Sequence, residues 1–443
     1  MTHLKKATKI ELFKIKPMHM RIFHFTWFAF FVCFLAWFGI APLMPYVRED
    51  LDLTKEQIGN TIIASVFVTV FARILIGWII DKIGPRITYS LLLILGSIPV
   101  MLIGLSNSYE TFLLFRLAIG IIGASFVITQ YHTSLVFSSN VVGTANATTA
   151  GWGNLGGGVT QFTLPLIMLV FLSFGYSESQ SWRYSMVVPG IILFITGILY
   201  FLFTKDTLNG NFNELRKQDP HFMEHNSKTS KHFFEVIKDF RVWALFIIYA
   251  ACFGIELTIN NIAAIYYVDN FQLSPTLAGF IASLFGLMNI FARTLGGIYG
   301  DKMGIKYGLK GRVIFLGIII LLEGIALIIF SQMKLLPLAI ATMIIFSLFV
   351  QMAEGATFSV VPFINRKAIG SVSGIVGAGG NTGAVLAGFL FRGSLTYQNA
   401  LLILGCIVAF SSLMAFLVKF NEVDEELHEK EIQFALKPAL EVQ

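Results

Sequence analysis

Apolar residues run along most of this chain in unbroken stretches, not in the alternating or amphipathic patterns of half-buried elements. Each stretch reaches the roughly 20 residues that a helix needs to cross a bilayer, and short polar connectors separate them. The spacing predicts about twelve spans, at roughly 22–47, 57–80, 87–106, 110–138, 143–173, 184–204, 241–268, 275–300, 312–331, 335–362, 368–391 and 398–419. Helices, not a barrel, are implied. Composition agrees: 56% hydrophobic residues, 13% charged residues and a mean hydropathy of +0.74 lie far outside the soluble globular range.

The formal charge of +6 raises the question of nucleic acid, but the basic residues are sorted by side of membrane instead of gathered on one groove-binding element. With the N-terminus in the cytoplasm, 24 of the 32 Lys and Arg fall in cytoplasmic segments, five on the opposite face and three within spans. That asymmetry, with an even number of spans, puts both termini in the cytoplasm. Cys33, Cys252 and Cys406 all fall within spans and define no disulfide framework. The first apolar segment is longer than a signal-peptide core and reads as a retained span.

A polar stretch from Lys205 to Phe240 divides six spans from six. The expected organisation is therefore an N-terminal half (1–204), a cytoplasmic linker (205–240), a C-terminal half (241–420) and a cytoplasmic tail (421–443). The halves repeat. Phe71-Ala72-Arg73 recurs as Phe291-Ala292-Arg293, followed at equal spacing by Gly77 and Gly297, Asp81 and Asp301, Lys82 and Lys302, Gly84 and Gly304. A second match joins Gly153-Asn154-Leu155-Gly156 to Gly380-Asn381-Thr382-Gly383, in the fifth span of each half. Parallel six-helix repeats place a substrate near the midplane between halves.

Arg73 and Arg293 lie mid-span among apolar neighbours, where a guanidinium costs from about 2.5 to well over 10 kcal/mol unless it faces a polar interior. Its planar, permanently charged fork suits an oxyanion. The alternative is a structural ion pair. Arg116, without a counterpart in the repeat, reads as structural. Glycines surround the duplicated asparagines: Gly151, Gly153 and Gly156 near Asn154, and Gly377, Gly380 and Gly383 near Asn381. Such residues let helices pack closely and slide as halves rock; packing alone is the plainer reading. Tyr249, Phe253, Glu256 and Asn260 share one helix face that lines a cavity or simply packs. Glu256, Glu354 and Glu323 are the intramembrane carboxylates, each a proton carrier, a countercharge or a packing residue. Two arginines around one monovalent anion leave an excess positive charge that a titratable carboxylate balances, with Glu256 the first choice. His132 is a further titratable group, or a satisfied structural histidine.

The segment Gly77-Trp-Ile-Ile-Asp81-Lys82-Ile-Gly84-Pro-Arg86 resembles the loop signature of the major facilitator superfamily, and Gly297–Lys306 resembles a second copy. Ala150–Gly156 and Gly377–Ala384 are similar to the paired glycine-rich signatures of the nitrate/nitrite porter family. Phe253-Gly-Ile-Glu256-Leu, Ala353-Glu354-Gly-Ala-Thr357 and Val361-Pro362-Phe363 resemble its assimilatory, high-affinity members. The resemblance implies a twelve-helix major facilitator fold with pseudo-twofold symmetry. It implies Arg73 and Arg293 as the substrate clamp, Asn154 as a hydrogen-bond donor, and Tyr249, Phe253 and Phe126 as aromatic walls. Asn381 is the repeat partner of Asn154.

The expected activity is secondary transport of nitrate, with nitrite as a second substrate, by proton symport through the plasma membrane. Nitrate/nitrite exchange and import of another small anion are the alternatives. No cofactor or metal is expected, and one chain suffices for a central pathway. An enzyme is disfavoured: the sequence has no HExxH, phosphate-binding loop, haem-type histidine pair or evident nucleophile with a base.

Overall fold

Eleven helical runs among the described residues are long and apolar enough to cross a membrane, and one of them, Phe280–Ser331, is 52 residues long. That is about twice what a bilayer needs. The backbone at Gly308 (φ 70°, ψ −163°), a conformation that L side chains resist, breaks it into two crossings. The computed structural model describes residues 6–218, 229–273, 275–392 and 395–436; residues 219–228 of the expected linker lie outside them.

The first six spans are α1 (Met18–Trp37), α2 (Lys55–Ile83), α3 (Pro85–Leu102), α4 (Tyr109–Gly120, continuing through a 3-10 turn into Ser125–Val136), α5 (Val142–Ser173) and α6 (Val187–Phe203). The second six are α7 (Phe240–Phe271), α8 (Pro275–Leu287, then 292–307), α9 (309–331), α10 (Leu336–Val360), α11 (Ile369–Arg392) and α12 (Tyr397–Ser411). Local chemistry sets several ends. Thr54 and Gln57 form a reciprocal capping box at the start of α2, and Gly84 (φ 87°) followed by Pro85 turns α2 into α3. The repeat places the equivalent turn at Gly304. The structure instead carries α8 one helical turn further to Gly308, so the expected boundary near residue 300 was too early.

The two sets of spans meet where small residues allow backbone approach. A Cβ on Gly77 of α2 would lie 3.1 Å from Gly374 Cα of α11, and one on Gly297 of α8 would lie 2.6 Å from Ala147 Cβ of α5. Beside these contacts the two repeated aspartates cross over. Asp81 accepts from the amides of Gly370 (3.1 Å) and Ser371 (3.0 Å) and from the Ser371 hydroxyl (2.6 Å), at the start of α11. Asp301 accepts from Gly143 N (3.0 Å), Thr144 N (2.6 Å) and Thr144 Oγ1 (2.7 Å) at the start of α5, and from Arg312 (2.6 Å). Each carboxylate thus caps the positive end of a helix in the other set.

The tail expected over 421–443 contains a docked helix, α13 (Glu422–Leu436). Glu425 caps α9 through the amides of Leu309 (2.8 Å) and Lys310 (2.9 Å). His428 is buried beside Gly304 O (3.2 Å) with its ring edge-on to Phe363. Glu431 joins Arg366 of the second set to the Ser139 hydroxyl of the first.

Candidate functional site

The α2 and α8 arginines converge, fully buried, on the α4 aromatic Phe126. The Arg73 guanidinium carbon lies 4.9 Å from the Phe126 ring centre and that of Arg293 lies 5.6 Å from it. The two carbons are therefore no more than about 10.5 Å apart, the sum of those distances. Phe126, Tyr249 and Phe253 form a triangle of near-parallel rings, with Phe126 5.6 Å from Tyr249 and 6.0 Å from Phe253 and the two α7 rings 5.3 Å apart. Phe358 closes the group edge-on to Phe126 (4.8 Å) and Tyr249 (5.1 Å). Phe253 also faces Arg73, 5.0 Å from its guanidinium carbon. Ring faces hold both cations by their quadrupoles.

The two arginines are not electrically equivalent. Arg73 donates from Nε to Gly123 O (3.1 Å) and from Nη1 across the interface to Gly377 O (2.6 Å); its buried Nη2 has no hydrogen-bond partner among the described residues. Arg293 donates from Nη1 to Glu354 and from Nη2 to the Tyr249 hydroxyl (3.0 Å), with Glu256 3.9 Å away. Its Nε is unpartnered in the same sense. Arg293 is thus charge-compensated, whereas Arg73 is met by carbonyl dipoles and ring faces.

Glu256 is held by two amides, Asn289 (2.8 Å) and Asn154 (3.2 and 3.4 Å to its two oxygens). The side-chain oxygens of Asn154 and Asn289 and both side-chain polar atoms of Asn381 are buried without a partner among the described residues. Gly151 lets α5 pass close to the Asn289 carbonyl, and Gly377 sits against Phe126 and Arg73. Gly153 faces Phe30, Gly156 the Phe31 carbonyl, Gly380 Phe253 and Gly383 the Ala250 carbonyl, all positions where a Cβ would collide.

Arg73, Arg293, Asn154, Tyr249, Phe253, Phe126, Glu256 and Glu354 are thus brought together. His132 is not joined to them: Nε2–H meets the Lys205 carbonyl (2.8 Å), which leaves Nδ1 to accept from Tyr200 (2.6 Å), so both ring nitrogens are spent on structure. Asn260 is exposed beyond the cluster. Arg116 bonds to the Trp37 carbonyl and the Ser65 hydroxyl, a structural role. The sequence reading passed over Asn289 and Phe358. Asn289 had a signal, a polar residue one helical turn before Arg293; nothing marks Phe358 among 43 phenylalanines.

Comparison with known proteins places this geometry. The family model of the Major Facilitator Superfamily matches residues 26–364 and, again, 251–442. The chain is 39% identical to high affinity nitrate transporter 2.5 of Arabidopsis thaliana, over 94% of its own length and 83% of that protein's. It is 31% identical to the nitrate/nitrite transporter NrtP of Picosynechococcus, over 95% and 97%. The chain belongs to the nitrate/nitrite porter family of the Major Facilitator Superfamily. Solved structures agree on the fold: the proton:xylose symporter XylE superposes with a TM-score of 0.69 over 92% of this chain and 97% of that one, at 12% identity. The human organic anion transporter MFSD10 gives 0.65 over 90% and 100%, at 13%. This porter is accordingly a multi-pass membrane protein, and membership of a family of transporters disposes of the enzyme alternative.

Proposed function

We propose that the chain imports nitrate, with nitrite as a second substrate, across the plasma membrane by proton symport. Its two six-helix halves (1–204 and 241–420, joined by 205–240) rock about the arginines, both termini lie in the cytoplasm, and a monomer is the working unit. The observation that carries this reading is the unneutralised Arg73, with a spare buried donor, facing Arg293 across a shared ring. Each planar guanidinium offers donors suited to the oxygens of an oxyanion. Asn154 supplies an amide, and Tyr249, Phe253 and Phe126 exclude water. The relatives' names supply the identity of the anion.

The charges also favour coupling. Arg73, Arg293, Glu256 and Glu354 balance before substrate arrives, which replaces the expectation of excess positive charge. An entering anion adds one negative charge and competes with Glu354 for the Arg293 guanidinium. Breaking a buried pair costs about 3–5 kcal/mol when the released charge stays bare; a proton taken by the carboxylate removes that cost. Glu354, which touches Arg293 directly, therefore replaces Glu256 as the first candidate carrier.

The test is uptake by the full chain in sealed proteoliposomes with and without an inward proton gradient. Concentrative nitrate and nitrite uptake that requires the gradient is expected; gradient-independent exchange would identify an antiporter. In Glu354→Gln, anion binding and counterflow survive and uphill uptake is lost, whereas Glu256→Gln accumulates anion. The reverse pattern transfers the carrier role to Glu256.

A further inference from the structure

The C-terminal half contains a second buried acid that the anion site does not use. Glu323, on α9, is fully buried, and neither carboxylate oxygen has a hydrogen-bond partner among the described residues. A bare carboxylate without a donor or a cation is untenable in such surroundings, so this side chain is held as the neutral acid. It carries a proton.

Its depth is informative. Glu323 lies some eight residues, about 12 Å, along α9 from Ser331, whereas Glu354 lies about 27 Å along α10 from Leu336. Both distances run from the α9–α10 connection, at the end of the bundle opposite the capping aspartates. Glu323 therefore stands between that face and Glu354. Glu354 on α10 and Cys252 on α7 lie within electrostatic reach of the Glu323 carboxyl. These are the titratable groups facing it, with Arg293 behind Glu354; α12, which meets Gly324 through Ala409, brings no charged residue.

A second orphan lies on the same route. Gln351 is fully buried one helical turn from Glu354 toward Leu336, and both its amide atoms lack partners among the described residues. Ser347, a further turn along, bonds to the Phe285 carbonyl (2.8 Å). Ser347, Gln351 and Glu354 follow i, i+4, i+7 spacing and form one polar stripe down α10. An apolar helix interface has no use for an unpaired amide or an unpaired acid.

We propose that Glu323 is a proton-holding site on the entry side of the C-terminal half, and that its proton passes through water ordered along the Ser347–Gln351 stripe to Glu354 when the anion displaces Glu354 from Arg293. The proton leaves the Glu323 carboxyl, arrives on the Glu354 carboxylate, and is replaced at Glu323 from the outer water. This inference rests on the proton-symport reading above.

The experiment reconstitutes wild type, Glu323→Gln, Glu323→Asp, Gln351→Leu and Glu354→Gln and measures nitrate binding, equilibrium counterflow and gradient-driven uptake. In Glu323→Gln, binding and counterflow are little changed and the gradient-driven rate falls about a hundredfold, the worth of a positioned proton carrier. Glu323→Asp recovers part of it, and Gln351→Leu slows the gradient-driven rate alone. Infrared difference spectra give a readout independent of transport: Glu323→Gln removes a protonated-carboxyl band present in the anion-free wild type. Wild-type accumulation by Glu323→Gln, or its loss of binding along with accumulation, would overturn the proposal. If Glu354→Gln is uncoupled while Glu323→Gln is normal, this inference alone fails; if wild-type uptake ignores the gradient, the symport reading fails and takes this one with it.

Discussion

Replacing Arg73 by lysine tests the centre of the site while leaving its charge in place. Arg73 uses three directions at once: Nε to Gly123 O at 3.1 Å, Nη1 to Gly377 O at 2.6 Å, and Nη2 toward the unpartnered interior. Lysine's three donors radiate from one atom and cannot hold carbonyls on two helices of opposite halves and still offer a proton to an anion. The loss is therefore at least one charge-assisted hydrogen bond, about 1.5–3 kcal/mol, or roughly 10- to 150-fold in affinity. The flat contact with the Phe126 and Phe253 rings weakens in addition. Membrane insertion is unaffected, because the buried charge is the same. Calorimetric titration of nitrate into purified protein reads the effect directly, with initial uptake rates at matched reconstitution as the companion measurement. A lysine variant whose Kd stays within about threefold of wild type, under 1 kcal/mol, would refute the argument that the fork geometry binds the anion.

Three further outcomes follow from the geometry. Asn154→Ala weakens nitrate binding by about 1 kcal/mol, more than Asn381→Ala, because only Asn154 is tied to the carboxylate beside Arg293; a larger effect at Asn381 in the same titration would reverse their roles. Asp301→Asn costs the closed arrangement at the aspartate-capped side about 3 kcal/mol. A Ser359→Cys reporter, in a Cys406→Ser background because Cys406 is exposed, is then labelled from that side much faster; an unchanged labelling rate would show that the cap contributes nothing. His428 takes up a proton near 6.5 when the tail is free, but burial first and the nearby Arg312 second push it down to about 3 when docked. Docking thus has full strength above pH 6.5 and fades as pH falls toward 3, losing about 2 kcal/mol by about pH 5. Amide exchange along α13 checks this, and protection independent of pH would contradict it.

The spans and the two buried arginines were legible for the same reason: an apolar run as long as a bilayer is thick, and an arginine inside one, are both too costly to be accidental. The duplicated segments point to two halves because identical residues at a fixed offset need no knowledge of contacts. Spacing did not reveal pairing. Glu256 and Glu354 look alike in sequence, and only the packing of α10 against α8 puts Glu354 on Arg293. The extra turn before Gly308 was hidden because Gly304 fits the repeat equally well, and the discriminating fact is that Arg312 reaches Asp301 from beyond the longer helix. The tail was opaque for a different reason: a helix rich in glutamate reads as solvated, yet Glu425 and Glu431 are engaged with backbone and basic groups that lie more than sixty residues away.

The crossed aspartates have a kinetic consequence. Because Asp81 holds α11 and Asp301 holds α5, the proposed rocking of the halves would strip both helices of their caps together. On that proposed motion, closure would be a switch between two populations, not a graded hinge. Distance distributions between labels on the aspartate-capped ends of α5 and α11 should then show two peaks whose areas trade with substrate, with no band migrating between them.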